Sequence, residues 1–154
     1  MDDLKLKIRT IPNFPIPGIQ FRDITTLLAD PDAFNDVIER FVNHYQDEQI
    51  DLVVGIEARG FIIGAPLALR LGKGFIPIRK EGKLPGPTHG LDYVLEYGSD
   101  RVEVHQDAIP VGSRVLMVDD LLATGGTMGV SSRLIEQVGG IIVGYAYLIE
   151  LVDL

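Results

Sequence analysis

The sequence predicts an α/β fold with a central parallel sheet flanked by helices, and three observations carry that expectation. Short apolar runs recur at 52–54, 74–78, 115–118 and 141–151. Helical apolar patterns at 61–71 and 128–138 separate them. Continuous apolar runs suit strands buried on both faces, and strands alternating with helices suit parallel pairing. Third, 154 residues of which 46% are hydrophobic and 23% charged match one folded domain that buries a core without covalent staples.

Along the chain, residues 4–10 read as a short helix. Residues 11–18 hold three prolines, which favours extended backbone and turns, so this stretch is read as an arm crossing a surface. Asp30 can cap a helix that begins at Pro31, with Phe34, Val37, Ile38, Phe41, Val42 and Tyr45 following at helical spacing. Residues 80–92 read as a long polar loop, and 93–97 with 101–105 alternate like a hairpin. No repeat or linker divides the chain, so residues 1–154 are expected to form a single domain, with residues 1–30 as a hood over it.

A net charge of −8 and a pI near 4.7 argue against a nucleic-acid backbone as partner, because that binding depends on basic surface. The N-terminus carries charges where a signal peptide needs an apolar core, and Glu57 and Arg59 interrupt the most apolar central region, so neither secretion nor membrane spanning is expected. Cysteine is absent, which excludes disulfides, a thiol nucleophile and a thiolate zinc site, and fits the cytoplasm. His44, His89 and His105 show no metal-ligand spacing and complete no Ser-His-Asp set.

Chemistry concentrates in VLMVDDLLATGGT, residues 115–127. A buried strand delivers Asp119 and Asp120 to its carboxyl end, and a turn of small residues then opens a helix at about Gly125. Successive backbone N–H groups in such a turn, with the helix N-terminus, form an anion site. Glycine lets a phosphate approach the backbone, and the Thr124 and Thr127 hydroxyls add donors. Carboxylates repel phosphate, so the acidic pair suits sugar hydroxyls instead. A lone DD or a lone TGGT would more often be a solvated strand end and a helix cap; the contiguous string favours a sugar-phosphate ligand. Residues 55–61, GIEARGF, form a glycine-rich strand-to-helix loop that lacks the lysine and hydroxyl of a Walker loop. Arg79, Lys80 and Lys83 then place three cations within five residues of an acidic chain. Alone, such a basic loop is usually just solvated.

These strings, with PIPGIQFRDI (15–24), IRK (78–80), KLPG (83–86) and LEYG (95–98), resemble the type I phosphoribosyltransferases over nearly the whole chain. The LLATGGT ending, the FRD arm and the LEYG loop are most similar to members that act on adenine. The resemblance implies that fold, with a small N-terminal hood, a flexible hairpin loop and a homodimer. It implies transfer of the 5-phosphoribosyl group from phosphoribosyl pyrophosphate to adenine, giving AMP and pyrophosphate in purine salvage. Mg2+ would be held mainly by the substrate, with no direct protein ligand.

The same resemblance distributes the roles. Asp119 and Asp120 would act on the ribose and Glu96 on protons at the purine, while Tyr97 covers the site. Ala123, Thr124, Gly125, Gly126 and Thr127 would hold the 5′-phosphate, and Glu57, Ala58, Arg59, Arg79, Lys80 and Lys83 the pyrophosphate. Adenine would sit between Phe21 and Leu151, with backbone near Arg22 reading its edge. From the residues alone, Phe21 and Leu151 read as core. The open alternatives are transfer to another base such as xanthine, hypoxanthine or guanine, a regulator of this fold that senses phosphoribosyl pyrophosphate, and a silent assembly subunit. The family continues with further sheet-forming sequence beyond the position of Leu154, so a shortened C-terminus is expected.

Overall fold

A computed structural model describes residues 2–95, 98–120 and 126–149. Two units emerge, residues 1–43 and 44–154. The first contains α1 (Asp2–Leu6), β1 (Arg9–Pro12), β2 (Gln20–Asp23) and α2 (Thr25–Leu28), and α3 (Pro31–Tyr45) spans the junction. β1 and β2 pair antiparallel, with Ile11 opposite Phe21. The expected helix over 4–10 therefore stops at Leu6. Arg9 and Thr10 instead join a ladder, where Arg9 Nε donates to Asp23 Oδ2 at 2.6 Å and Arg22 Nη1 to Thr10 Oγ1 at 2.5 Å. Pairing with a distant segment overrides local helix propensity here.

Asp23 also accepts the Thr25 N–H at 2.9 Å and hydroxyl at 2.7 Å, fixing the entry to α2. α3 begins as its sequence predicts. Asp30 Oδ1 accepts the N–H groups of Asp32 and Ala33 at 3.0 and 3.2 Å, and Ala33, Val37, Ile38 and Phe41 are buried along one face.

The second unit contains β3 (Leu52–Ile56), α4 (Arg59–Leu71), β4 (Gly74–Lys80), β5 (Thr88–Leu95), β6 (Gly98–His105), β7 (Arg114–Asp119), α5 (Gly126–Gln137) and β8 (Ile141–Tyr147). They form one six-stranded sheet in the order β5-β6-β4-β3-β7-β8. β4, β3, β7 and β8 are parallel, as the alternation of strands and helices predicts. β6 and β5 extend the sheet antiparallel, so it is mixed. The long loop expected over 80–92 shrinks accordingly, because residues 88–92 pair with β6 from Thr88↔His105 to Asp92↔Arg101. Their polar composition had masked an edge strand.

Alternate residues of the central strands face opposite sides. Val54, Ile56, Val115 and Met117 join Val130, Leu134 and Ile135 of α5 in the main cluster. On the opposite side α4 approaches closely because glycine permits it. The Phe75 ring lies where a Cβ on either Gly55 or Gly64 would fall, 2.7 Å from each. α4 ends at Gly72, whose φ of 71° lets the Lys73 N–H reach the Ala68 carbonyl at 2.9 Å. No helix among the described residues is long and apolar enough to cross a membrane.

Candidate active site

Parallel pairing brings distant motifs to one edge. Gly55 of β3 lies opposite Val118 of β7, and Ile56 opposite Ile78 of β4. The residues that leave these strands at their carboxyl ends, 57–59, 79–80 and 119–120, are therefore neighbours, where open α/β sheets bind ligands.

Asp119 closes β7 and Asp120 follows it, 4% exposed. The Asp120 N–H donates to Asp119 Oδ1 at 2.8 Å, and the Asp120 carbonyl accepts the Ile149 N–H at 3.0 Å. Asp120 Oδ2 lies 2.9 Å from Arg59 Nε. The contact is an ion pair without hydrogen-bond alignment, so among the described residues this buried oxygen has no hydrogen-bond partner. A carboxylate so placed suits an external hydroxyl. Burial, reinforced by Asp120, pushes the Asp119 carboxyl up to about 7, although the Asp120 N–H and Arg59 oppose the shift.

Arg59 opens α4, whose preceding residue Ala58 provides no side-chain cap. No side chain therefore screens the start of this helix, whose dipole favours an anion at the end of β3, while the Phe61 N–H donates to the Ala58 carbonyl at 3.1 Å. Gly60 is required for the approach of α4 to β7, since a Cβ there would lie 2.9 Å from the Val118 carbonyl oxygen. The Glu57–Ala58 peptide is cis.

Glu57 faces β4. Its Oε1 accepts the Lys80 N–H at 2.5 Å and lies 3.4 Å from Arg79 Nε. The Arg79 guanidinium also sits 5.9 Å from the Phe61 ring centre, and Phe61 packs edge-on against Phe75. Lys80 Nζ donates to Asp100 Oδ2 at 2.7 Å and to the Tyr93 hydroxyl. Burial works against the Lys80 charge, but Asp100 and Tyr93 outweigh it and raise its pKa. Lys83 is exposed on the turn after β4, its N–H bonded to the Lys80 carbonyl at 3.2 Å.

Gly126 and Thr127 begin α5. Ala123, Thr124 and Gly125 lie outside the described residues, as do Glu96, Tyr97 and Leu151. In the first unit Phe21 packs edge-on against Phe14, with ring centres 5.2 Å apart.

A model of the phosphoribosyl transferase domain matches residues 23–151. An adenine phosphoribosyltransferase of Acaryochloris marina is 59% identical over 152 residues, covering 99% of this chain and 89% of the relative. The chain belongs to the adenine phosphoribosyltransferase family. A relative of the same name from Chloroflexus aurantiacus is 58% identical, covering 97% of this chain and 86% of its own length. Among solved structures, the adenine phosphoribosyltransferase of Thermoanaerobacter pseudethanolicus superposes with a TM-score of 0.92 at 51% identity, covering 96% of this chain and 86% of that one. That of Saccharomyces cerevisiae, complexed with adenine and an imino-altritol bisphosphate, gives 0.90 at 42% identity, covering 95% and 85%. The type I phosphoribosyltransferase fold expected from sequence is thereby established, its sheet mixed rather than wholly parallel.

The described residues bring together Glu57, Arg59, Arg79, Lys80, Asp119 and Asp120. They add groups the sequence reading missed: Gly60, which sets the distance between α4 and β7, Phe61 beside Arg79, and the Tyr93 and Asp100 partners of Lys80. Tyr93 and Asp100 lie opposite one another across the hairpin. Pairing β5 with β6 over its full length would have revealed that match.

Proposed function

We propose that this chain transfers the 5-phosphoribosyl group of phosphoribosyl pyrophosphate to adenine, giving AMP and pyrophosphate in purine salvage. One observation carries the chemistry: an acidic pair, Asp120 buried and Asp119 half-buried, and a cationic helix N-terminus meet at adjacent strand ends, with Arg59 Nε 2.9 Å from Asp120 Oδ2. A donor with a neutral ribose and an anionic pyrophosphate needs those opposite charges side by side. In a substitution at the anomeric carbon, adenine forms the new C–N bond as the C–O bond to pyrophosphate breaks. Positive charge develops on the ribose, and Asp119 and Asp120 hold its hydroxyls and oppose that charge. Arg59, the α4 amides and the Arg79, Lys80 and Lys83 cations receive pyrophosphate, while Glu57 and Ala58 shape the loop that holds it. Residues 123–127 anchor the 5′-phosphate and orient the sugar.

Phe21 and Leu151 sandwich adenine, with backbone near Arg22 reading its edge. Glu96 handles the purine proton, and Tyr97 covers the site to exclude water. The family's magnesium would be held mainly by the donor and would supply further positive charge to the departing pyrophosphate. The lack of cysteine supports the cytoplasm. A homodimer is supported by an apolar stripe on α4, where Ile62, Ala65 and Leu69 are exposed at helical spacing.

The test is pyrophosphate release with magnesium, phosphoribosyl pyrophosphate and each purine in turn. Adenine should support turnover, and turnover with xanthine but not adenine would overturn the assignment. Asp120→Asn should reduce turnover by more than roughly tenfold, a loss above about 1.4 kcal/mol of transition-state stabilisation, and unchanged turnover would remove the role given to Asp120.

A further inference from the structure

Each of three site cations already has a carboxylate beside it: Arg59 has Asp120, Arg79 has Glu57, and Lys80 has Asp100. Asp120 and Glu57 lie on the same strand ends as the site itself. Asp100 does not. It belongs to β6, on the hairpin that ends in the LEYG loop, and nothing in the transfer chemistry calls for it. Its Oδ2 is nonetheless 2.7 Å from Lys80 Nζ, and it also accepts the Tyr93 hydroxyl at 3.2 Å. Both side chains of the pair are about one-third exposed, at 33% for Lys80 and 32% for Asp100. The charges on the opposite face of the hairpin are paired among themselves. Arg101 Nε lies 3.2 Å from Glu103 and its Nη1 3.3 Å from Asp92, while Glu103 also accepts the Gly82 N–H at 2.9 Å and the Thr88 hydroxyl at 3.2 Å.

We propose that Asp100 is a positioning residue for the donor, holding the Lys80 ammonium against the hairpin and competing with pyrophosphate for it. The inference rests on Lys80 being a pyrophosphate contact. An ammonium has three N–H donors and no planar fork, so it can turn from one anion to another by rotating about its flexible stem. Arriving pyrophosphate takes Lys80 from Asp100, and departing pyrophosphate returns it. Asp100 thus weakens donor binding and, by the same competition, speeds product loss. It also makes the hold of β4 on the hairpin depend on whether pyrophosphate is present.

The experiment compares wild type, Asp100→Asn, Lys80→Met and the double variant by calorimetric titration with phosphoribosyl pyrophosphate and with pyrophosphate alone, alongside steady-state kinetics. Asparagine keeps an oxygen for Tyr93 and removes the competing charge. Asp100→Asn should tighten both ligands by about three- to tenfold and lower KM for the donor and kcat together, since pyrophosphate leaves more slowly. A merely structural Asp100 would raise KM instead. In the Lys80→Met background the Asp100→Asn effect should vanish. Unchanged or weaker binding in a folded Asp100→Asn protein, or the same tightening without Lys80, overturns the competition. If Lys80→Met alone leaves both affinities unaltered, the pyrophosphate contact assigned to Lys80 is what fails, and the inference fails with it. Thermal unfolding of each variant verifies that it is folded.

Discussion

Gly60→Ala tests the geometry of the site from a residue that offers no chemical group of its own. The added methyl would lie 2.9 Å from the Val118 carbonyl oxygen, 3.4 Å from Asp119 Oδ1 and 3.5 Å from Asp119 Cα. Ordinary contact begins at 3.4 Å, so the shortfall against the carbonyl is about 0.5 Å, by the difference between those two distances. That carbonyl belongs to β7, which is paired with β3 on one side and β8 on the other, so the obstacle is held in place. The first turn of α4 must withdraw instead, carrying Arg59 away from Asp120. Overpacking of this kind costs about 1–3 kcal/mol, which for a chain of this length lowers Tm by about 3–9 °C. The kinetic loss should exceed the stability loss, because misplacing reacting groups by about 1 Å costs up to roughly a hundredfold. A displacement of half that size should lower kcat/KM by about tenfold. Circular dichroism melting and an AMP-formation assay measure the two effects. Gly129→Ala is the control. Among the described residues nothing lies within 4 Å of a Cβ at that helical position, so it should gain about 0.5–1 kcal/mol of stability. A Gly60→Ala protein with wild-type Tm and kcat/KM would refute the close approach of α4 to β7 as the determinant of the site.

Three further predictions follow from charge and exposure. Asp119 is raised from an unfolded value of 3.8 to about 7, so folding takes up a proton between those values. Its contribution is full below about pH 4 and lost as pH rises through about 7, so wild type should lose Tm between about pH 4 and 7 relative to Asp119→Asn; parallel curves would contradict this. Asp23 is lowered from 3.8 to about 2 by the Thr25 hydroxyl and N–H and by Arg9. The stability it gives is present above about pH 4 and lost as pH falls through about 2. Amide protection across the β1–β2 ladder should then drop in acid in wild type but not in Asp23→Asn, and equal behaviour of the two would exclude Asp23 as the cause. Leu69 is 81% exposed on α4, and Leu69→Lys should turn a sedimenting dimer into a monomer; a wild-type monomer at micromolar concentration would eliminate the dimer.

What the sequence made legible follows the physics of each segment. β3 and β7 are buried on both faces, and their unbroken apolar runs announce that burial, while the apolar run of β4 marks a strand that is mostly half-buried. The cap at Asp30 could be read because it acts within three residues. β2 escaped notice because QFRD sits in a two-stranded sheet, with no long apolar run to mark it, and residues 88–92 because an edge strand tolerates polar side chains. The acidic pair and the cations were visible as residue types in order. The bonds among them were not, since Glu57 meets the Lys80 N–H across 23 positions and Lys80 meets Asp100 across 20. Such pairings depend on strand register, which residue spacing alone does not encode.

Phe75 gives the glycines of this fold a historical meaning. Its ring occupies the space that side chains at both 55 and 64 would need, and it also supports Phe61, the neighbour of Arg79. Three positions on separate elements therefore constrain one another. A lineage could enlarge residue 55 or 64 only after shrinking residue 75, and that first step would undercut the ring beside a site cation. The surface on which the chemistry takes place is inherited together with the wedge behind it, so drift in this part of the interior should leave a kinetic trace before it leaves a thermal one.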